Sequence, residues 1–186
     1  VAPEIRTAYL TSGKKGEWVP RMVHEAKGAI WSANFQDLDP AALAAARELG
    51  VKVIPWTVNE PADIARVLAM KVDGIISDRP DLLYTAVKEF DANGDGTPGD
   101  FLMSDGRIDP SKFDAQGHRG ARNLRPENTL PAMESALDNL MTTLELDTGV
   151  TKDRVPVLDH DAYVEAAKCR RADGAPYVDG GQKLPL

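Results

Sequence analysis

The chain has 186 residues, 42% of them hydrophobic and 27% charged, with a formal net charge of -7. This length and balance suit a soluble globular protein with a substantial core, in one or two domains. The acidic balance argues against a general nucleic-acid or anionic-membrane surface, which would need a basic field, although a few arginines and a cation can still hold a phosphate locally. No apolar run is long enough to span a bilayer, so no stable membrane insertion is expected. Val1-Ala2-Pro3-Glu4-Ile5-Arg6 lacks the basic start and apolar core of a signal peptide, and the chain is expected to begin inside a domain. A single cysteine, Cys169, excludes an internal disulfide.

In chain order, residues 5–10 and 29–35 are apolar segments of strand length. Asp39 and Pro40 mark a helix start, one by capping free amides and the other by its preset φ angle, and Gly50 supplies the stop. Residues 51–58 form a continuous apolar run, as expected of a parallel strand buried on both faces. Asn59-Glu60-Pro61 repeats the helix-start signal, residues 74–77 predict a strand, and Asp78-Arg79-Pro80 caps a helix near residues 81–90. Residues 91–114 change in character to Gly, Asp, Pro and Ser, predicting a linker or long surface loop. Within it, Asp91-Ala92-Asn93-Gly94-Asp95-Gly96 copies the first half of an EF-hand calcium loop, but Leu102 stands where the bidentate glutamate belongs, which favours a polar turn over a calcium site. A strand at 115–120, a helix at 129–139, a strand at 143–150 and a short strand at 155–158 follow, and the pattern becomes polar and irregular from Ala162. Strands alternating with helices in this way predict a parallel α/β fold.

Two of the three histidines lie close to arginine and carboxylates in the second half of the chain. On a strand over residues 143–150, Glu145 and Asp147 share one face while Leu144 and Leu146 share the other. Two neighbouring carboxylates repel unless a cation lies between them, and oxygen ligands suit magnesium or calcium better than zinc. A solvent-facing acidic strand edge fits the same pattern. His118 and Arg119 sit beside glycines at a strand end, where one can move a proton and the other can fork onto a phosphate, or both can be structural. His160 is equally open, and Asp161 could orient its ring or cap a turn. Glu127, before the helix start at Asn128-Thr129-Leu130, could simply compensate the helix dipole. Trp56 could wall a substrate pocket or belong to the core, and His24 reads as a surface residue on a helix.

The pairing of His118-Arg119-Gly120-Ala121 with Pro126-Glu127-Asn128-Thr129 resembles the opening signature of the glycerophosphodiester phosphodiesterase family. Glu145-Leu146-Asp147, Thr151-Lys152-Asp153 and His160-Asp161 continue it in order. Pro55-Trp56-Thr57-Val58-Asn59 and the segment from Val72 to Pro80 resemble the family's closing part, although they come first here. The resemblance implies a TIM-type (β/α)8 barrel with its site at the C-terminal strand ends. It further implies that Glu127, Glu145 and Asp147 hold a divalent cation, that His118 and His160 are the general acid/base pair, and that Arg119 grips phosphate. The implied reaction hydrolyses glycerophosphodiesters, a small-molecule substrate, to glycerol 3-phosphate and an alcohol. Lys71 and Arg154 replace glycines usual in the family.

The family's third and fourth strands, with a further metal-binding glutamate and a lysine, have no counterpart, leaving roughly six of eight strands. Residues 1–90 correspond to strands five to eight, 91–114 to the linker, and 115–186 to strands one and two. A junction between tandem barrels or a circular permutant would give this order. Exposed strand edges would then be paired by a second copy or an exchanged segment, and the chain alone is expected to be weakly active or inactive. A non-catalytic scaffold or binding module and a phospholipase acting on lipid headgroups are the alternatives. The calcium-like loop and the substrate class favour a place outside the cytoplasm.

Overall fold

Helix and strand alternate through residues 5–145: β1 (Ala8–Thr11), α1 (Trp18–Glu25), β2 (Ile30–Ala33), α2 (Pro40–Glu48), β3 (Lys52–Val53), α3 (Pro61–Ala69), β4 (Gly74–Ser77), α4 (Pro80–Glu89), β5 (Asp114–Gly117), α5 (Leu130–Asp138) and β6 (Thr143–Leu144). The computed structural model describes residues 5–164 and 169–175, with the backbone alone of Leu184 and Pro185. The chain divides into two units, Val1–Glu145 and Leu146–Leu186. The initial Val1-Ala2-Pro3-Glu4 of the segment weighed as a leader lies outside the described residues.

In the first unit β1 pairs with β2, β2 with β3, β4 with β5 and β5 with β6, all parallel. Hydrogen bonds from Asp73 N to Val53 O (2.9 Å), Ile76 N to Pro55 O (2.9 Å) and Val58 N to Ile76 O (3.0 Å) join β3 to β4. Six strands therefore run parallel in chain order, the α/β arrangement expected from the sequence. Helix faces close over them. Val19 and Val23 of α1, Ile64 and Val67 of α3, and Leu83 and Val87 of α4 are buried with Trp31 of β2 and Ile75 of β4.

Several boundaries differ from expectation. The run at 51–58 is regular only over β3, with a single further bridge between Trp56 and Asn34, because Pro55 has no amide to give. The strand expected at 143–150 ends at Leu144. There Glu145 bends around the end of β5, donating its N–H to Gly117 O (3.0 Å) while its carbonyl accepts from Gly120 N (3.2 Å). Glu145 and Asp147 are thus off any strand, and the strand alternation expected to put both on one face does not apply.

The segment between α4 and β5 packs inward as well as outward. Ile108 and Phe113 are buried, and the Phe101 ring stacks on Phe113 (4.9 Å) and on Phe90 (5.9 Å). Its calcium-like start is a polar turn closed on itself. Asp91 accepts from Gly94 N (2.6 Å) and Gly96 N (2.7 Å), while Asp100 accepts from Ala92 N (2.7 Å) and Asn93 N (3.0 Å).

In the second unit β7 (Gly149–Val150) pairs antiparallel with β8 (Pro156–Val157). The tail read as irregular contains a further antiparallel pair, β9 (Tyr163–Val164) with β10 (Leu184–Pro185). No helix among the described residues is long and apolar enough to cross a membrane.

Candidate active site

Register places the chemistry. Ser77 on β4 aligns with Gly117 on β5, and Gly117 aligns with Leu144 on β6. The next residue of each strand is Asp78, His118 and Glu145, so these three form a row across the C-terminal ends of neighbouring strands. Adjacent strands lie about 4.8 Å apart, which is within reach of carboxylate and imidazole side chains. His118 continues the ladder by donating its N–H to Ser77 O (2.9 Å).

The turn after β5 is tight. A Cβ at Gly117 would collide with the Gly120 carbonyl and the Ala136 methyl, so only glycine lets α5 lie this close. Arg119 then adopts a left-handed φ of 49°. This turns its backbone N–H onto Glu145 Oε2 (2.9 Å), and its guanidinium reaches Glu127 Oε1 (3.0 Å). Arg122 Nε holds the other oxygen of Glu127 at 2.8 Å. Thr129 caps α5, accepting from Ala132 N while donating to Pro126 O (2.6 Å).

His118 is largely buried, and its Nδ1 lies 2.6 Å from Asp78 Oδ1. Its Nε2 lies 3.9 Å from Glu145 Oε2. Asn59, in the loop after β3, donates from Nδ2 to Asp78 Oδ2 (2.8 Å). The Asn59 Oδ1 accepts from Asp78 N (2.8 Å) and Ser77 Oγ (3.2 Å). Burial pushes the Asp78 carboxyl up, but the hydrogen bonds from His118 and Asn59 and the nearby charges of His118 and Arg122 outweigh it and hold the group below the ordinary aspartate value.

The first unit thus gathers His118, Arg119, Glu127 and Glu145. Trp56 stands half-buried three residues past β3, its indole N–H fixed on Ser32 O (3.0 Å). Asp147 and His160 belong to the second unit, where His160 is exposed with Nδ1 3.2 Å from Asp161 Oδ1. His24 is exposed on α1, as expected. Asp78 and Asn59 were not singled out from the sequence, where each reads as a helix-start residue. The signal available was their type, polar and short, at the ends of two parallel strands.

Among the described residues no group of three or more His, Cys, Asp or Glu side chains is placed to hold a metal ion. Glu127, expected among the ligands, has one arginine on each carboxylate oxygen.

The first unit is a parallel α/β assembly whose strand ends carry a histidine between two carboxylates, with an arginine alongside, at the C-terminal edge where parallel α/β folds gather their sites. The model of the glycerophosphoryl diester phosphodiesterase family matches residues 1–82 and 118–171, and the chain belongs to that family. The rat glycerophosphodiester phosphodiesterase 1 is 44% identical over 64 residues, covering 34% of this chain and 18% of the relative. A glycerophosphodiester phosphodiesterase from Caldanaerobacter subterraneus is 38% identical over 55 residues, covering 30% of this chain and 23% of the relative. A solved Silicibacter pomeroyi protein, named for the same family, is 37% identical, covers 46% of this chain and 31% of its own, and superposes with a TM-score of 0.43. The matched stretches span about a fifth of the length of these two curated relatives.

Proposed function

We propose that this chain carries a glycerophosphodiester phosphodiesterase site, releasing glycerol 3-phosphate and an alcohol. The observation that carries the proposal is the row of Asp78, His118 and Glu145 across three strand ends, with Arg119 on the next turn. Family membership and the names of the relatives support the substrate class.

In this mechanism the glycerol hydroxyl next to the phosphodiester attacks phosphorus. A P–O bond forms to give a cyclic phosphate, and the bond to the alcohol breaks. One histidine of the pair His118 and His160 takes the attacking hydroxyl's proton, and the other protonates the departing alkoxide. Water then opens the cyclic phosphate, with the proton roles reversed. Arg119 faces the phosphate charge and Trp56 lines the substrate side. Calcium or magnesium, bound through Glu145 and Asp147, remains part of the proposal, where it would supply positive charge to the phosphoryl oxygens. The described side chains do not form its cradle, so the proton steps rest on the histidines alone.

We further propose that the six parallel strands are part of a TIM-type barrel, completed by a second copy or an exchanged segment. The test is release of glycerol 3-phosphate from glycerophosphocholine by the purified chain, with and without calcium or magnesium and with mass measured by light scattering. Activity in assembled material, weak activity in the monomer, and a loss on the order of 100-fold or more in His118→Ala is the expected result. No turnover in any assembly state or with either cation overturns it.

A second reading, a non-catalytic binding module of barrel origin, is favoured by the arginine-paired state of Glu127. Calorimetric cation titration separates the two, because only the enzyme reading expects binding that Glu145→Ala removes.

A further inference from the structure

We propose that Asp78, itself oriented by Asn59, is the positioning residue that fixes the His118 proton on Nδ1 and so leaves Nε2 to exchange a proton with substrate. This rests on the assignment of His118 as a proton carrier. Several observations converge on it. Nδ1 and Asp78 Oδ1 are 2.6 Å apart, and both side chains are at least 85% buried, at 15% and 10% exposure. An ionised carboxylate only accepts, so the ring nitrogen facing it must donate, which settles the tautomer of a neutral imidazole. The Asp78 carboxylate cannot swing away, because its other oxygen takes the Asn59 amide (2.8 Å).

The orientation of that amide is fixed in turn. Asn59 Oδ1 meets two donors, Asp78 N at 2.8 Å and Ser77 Oγ at 3.2 Å, so a flipped carboxamide would set its NH2 against N–H and its oxygen against the carboxylate. Finally, both residues forgo the role their sequence context offers. The N-cap positions of α3 and α4 are Glu60 and Arg79, and neither helix receives a side-chain cap. An uncapped start is unfavourable, and here it occurs twice, at the two loops that carry Asn59 and Asp78. On the far side of the ring, Nε2 is 3.9 Å from Glu145 Oε2, beyond hydrogen-bond reach, and that oxygen is occupied by Arg119 N–H at 2.9 Å.

The test reads the ring directly. The chain has three histidines, so long-range nitrogen–proton NMR spectra resolve them, and His118→Gln assigns the signal. At a fixed pH where the spectra show the His118 ring neutral, the wild-type ring carries its proton on Nδ1. In Asp78→Asn, the new carboxamide must turn its oxygen to the Asn59 amide and its NH2 to the ring, so the proton moves to Nε2. The same variant lowers kcat on glycerophosphocholine by on the order of 100-fold or more with little change in KM. An unprotonated Nδ1 in the wild type, or an unchanged tautomer in Asp78→Asn, overturns the proposal. The wild-type spectrum alone decides if the variant does not fold. A protein with Nδ1 protonated but no hydrolysis keeps the positioning role and loses the enzymatic reading, while hydrolysis with the proton on Nε2 does the reverse.

Discussion

Lys71 and Arg154 stand where the family usually has glycine, and both adopt left-handed backbone, with φ of 56° and 68°. Lys71 follows the C-cap residue Met70 of α3, the place where a left-handed glycine ordinarily ends a helix. A side chain there crowds its own carbonyl, so Lys71→Gly is expected to stabilise the chain by about 0.5–1 kcal/mol, read from urea midpoints at constant m. A destabilised variant would mean that the exposed lysine makes contacts worth more than the strain. The sequence also marks the candidate residues that the strand ends of the first unit bring together. His118, Arg119 and Glu145 stand out by type and by neighbours. Their partners were not legible, because Asp78 and Asn59 look like any short polar residue before a proline-led helix. Whether such a side chain turns back to its own helix or across to the next strand is decided by register, which a linear sequence does not display.

At the scale of elements, the contrast between helix starts makes this concrete. Asp39 caps α2, accepting from Ala42 N (2.9 Å) and also from Gly16 N (2.8 Å). The hydrogen bond from Ala42 leads in holding its carboxyl below the ordinary value, against the opposing effect of burial. Asp39→Ala is expected to cost about 1 kcal/mol at neutral pH. A carboxyl depressed in the folded state stabilises fully above its unfolded value, and that contribution is lost as pH falls below about 4. The gap between wild type and Asp39→Ala in denaturant midpoints should therefore narrow between about pH 5 and pH 2, and a constant gap would refute the assignment. Strands were less legible than helices. The run at 51–58 and the acid-bearing segment at 143–150 both look regular, yet a proline in one and the bend around Gly117 in the other cut each to two residues.

Across the whole molecule, the parallel α/β class could be read from alternation, but the role of residues 91–113 could not. Their Gly and Asp content signals a loop, while the few apolar residues that anchor it are too sparse to form a period. Phe113 is 1% exposed and sits directly before β5. Phe113→Ala should cost about 3–5 kcal/mol, measured by equilibrium unfolding, whereas a detached linker would lose almost nothing. The large value would also tie folding of the segment to the β4–β5 pairing that brings Asp78 to His118.

That pairing has a consequence for the covalent continuity of the chain. Asp78 and His118 reach each other through backbone hydrogen bonds between two ladders, and the peptide that joins them passes through residues 93–98, all exposed. A protease nick between Gly94 and Gly96 should leave two fragments that stay associated and co-elute on a sizing column in native buffer, separating only in denaturant. Mixing the two pieces made separately should then restore the His118 NMR signature, so the joint would be dispensable to the dyad it spans. Fragments that drift apart without denaturant would instead make that peptide an essential tether.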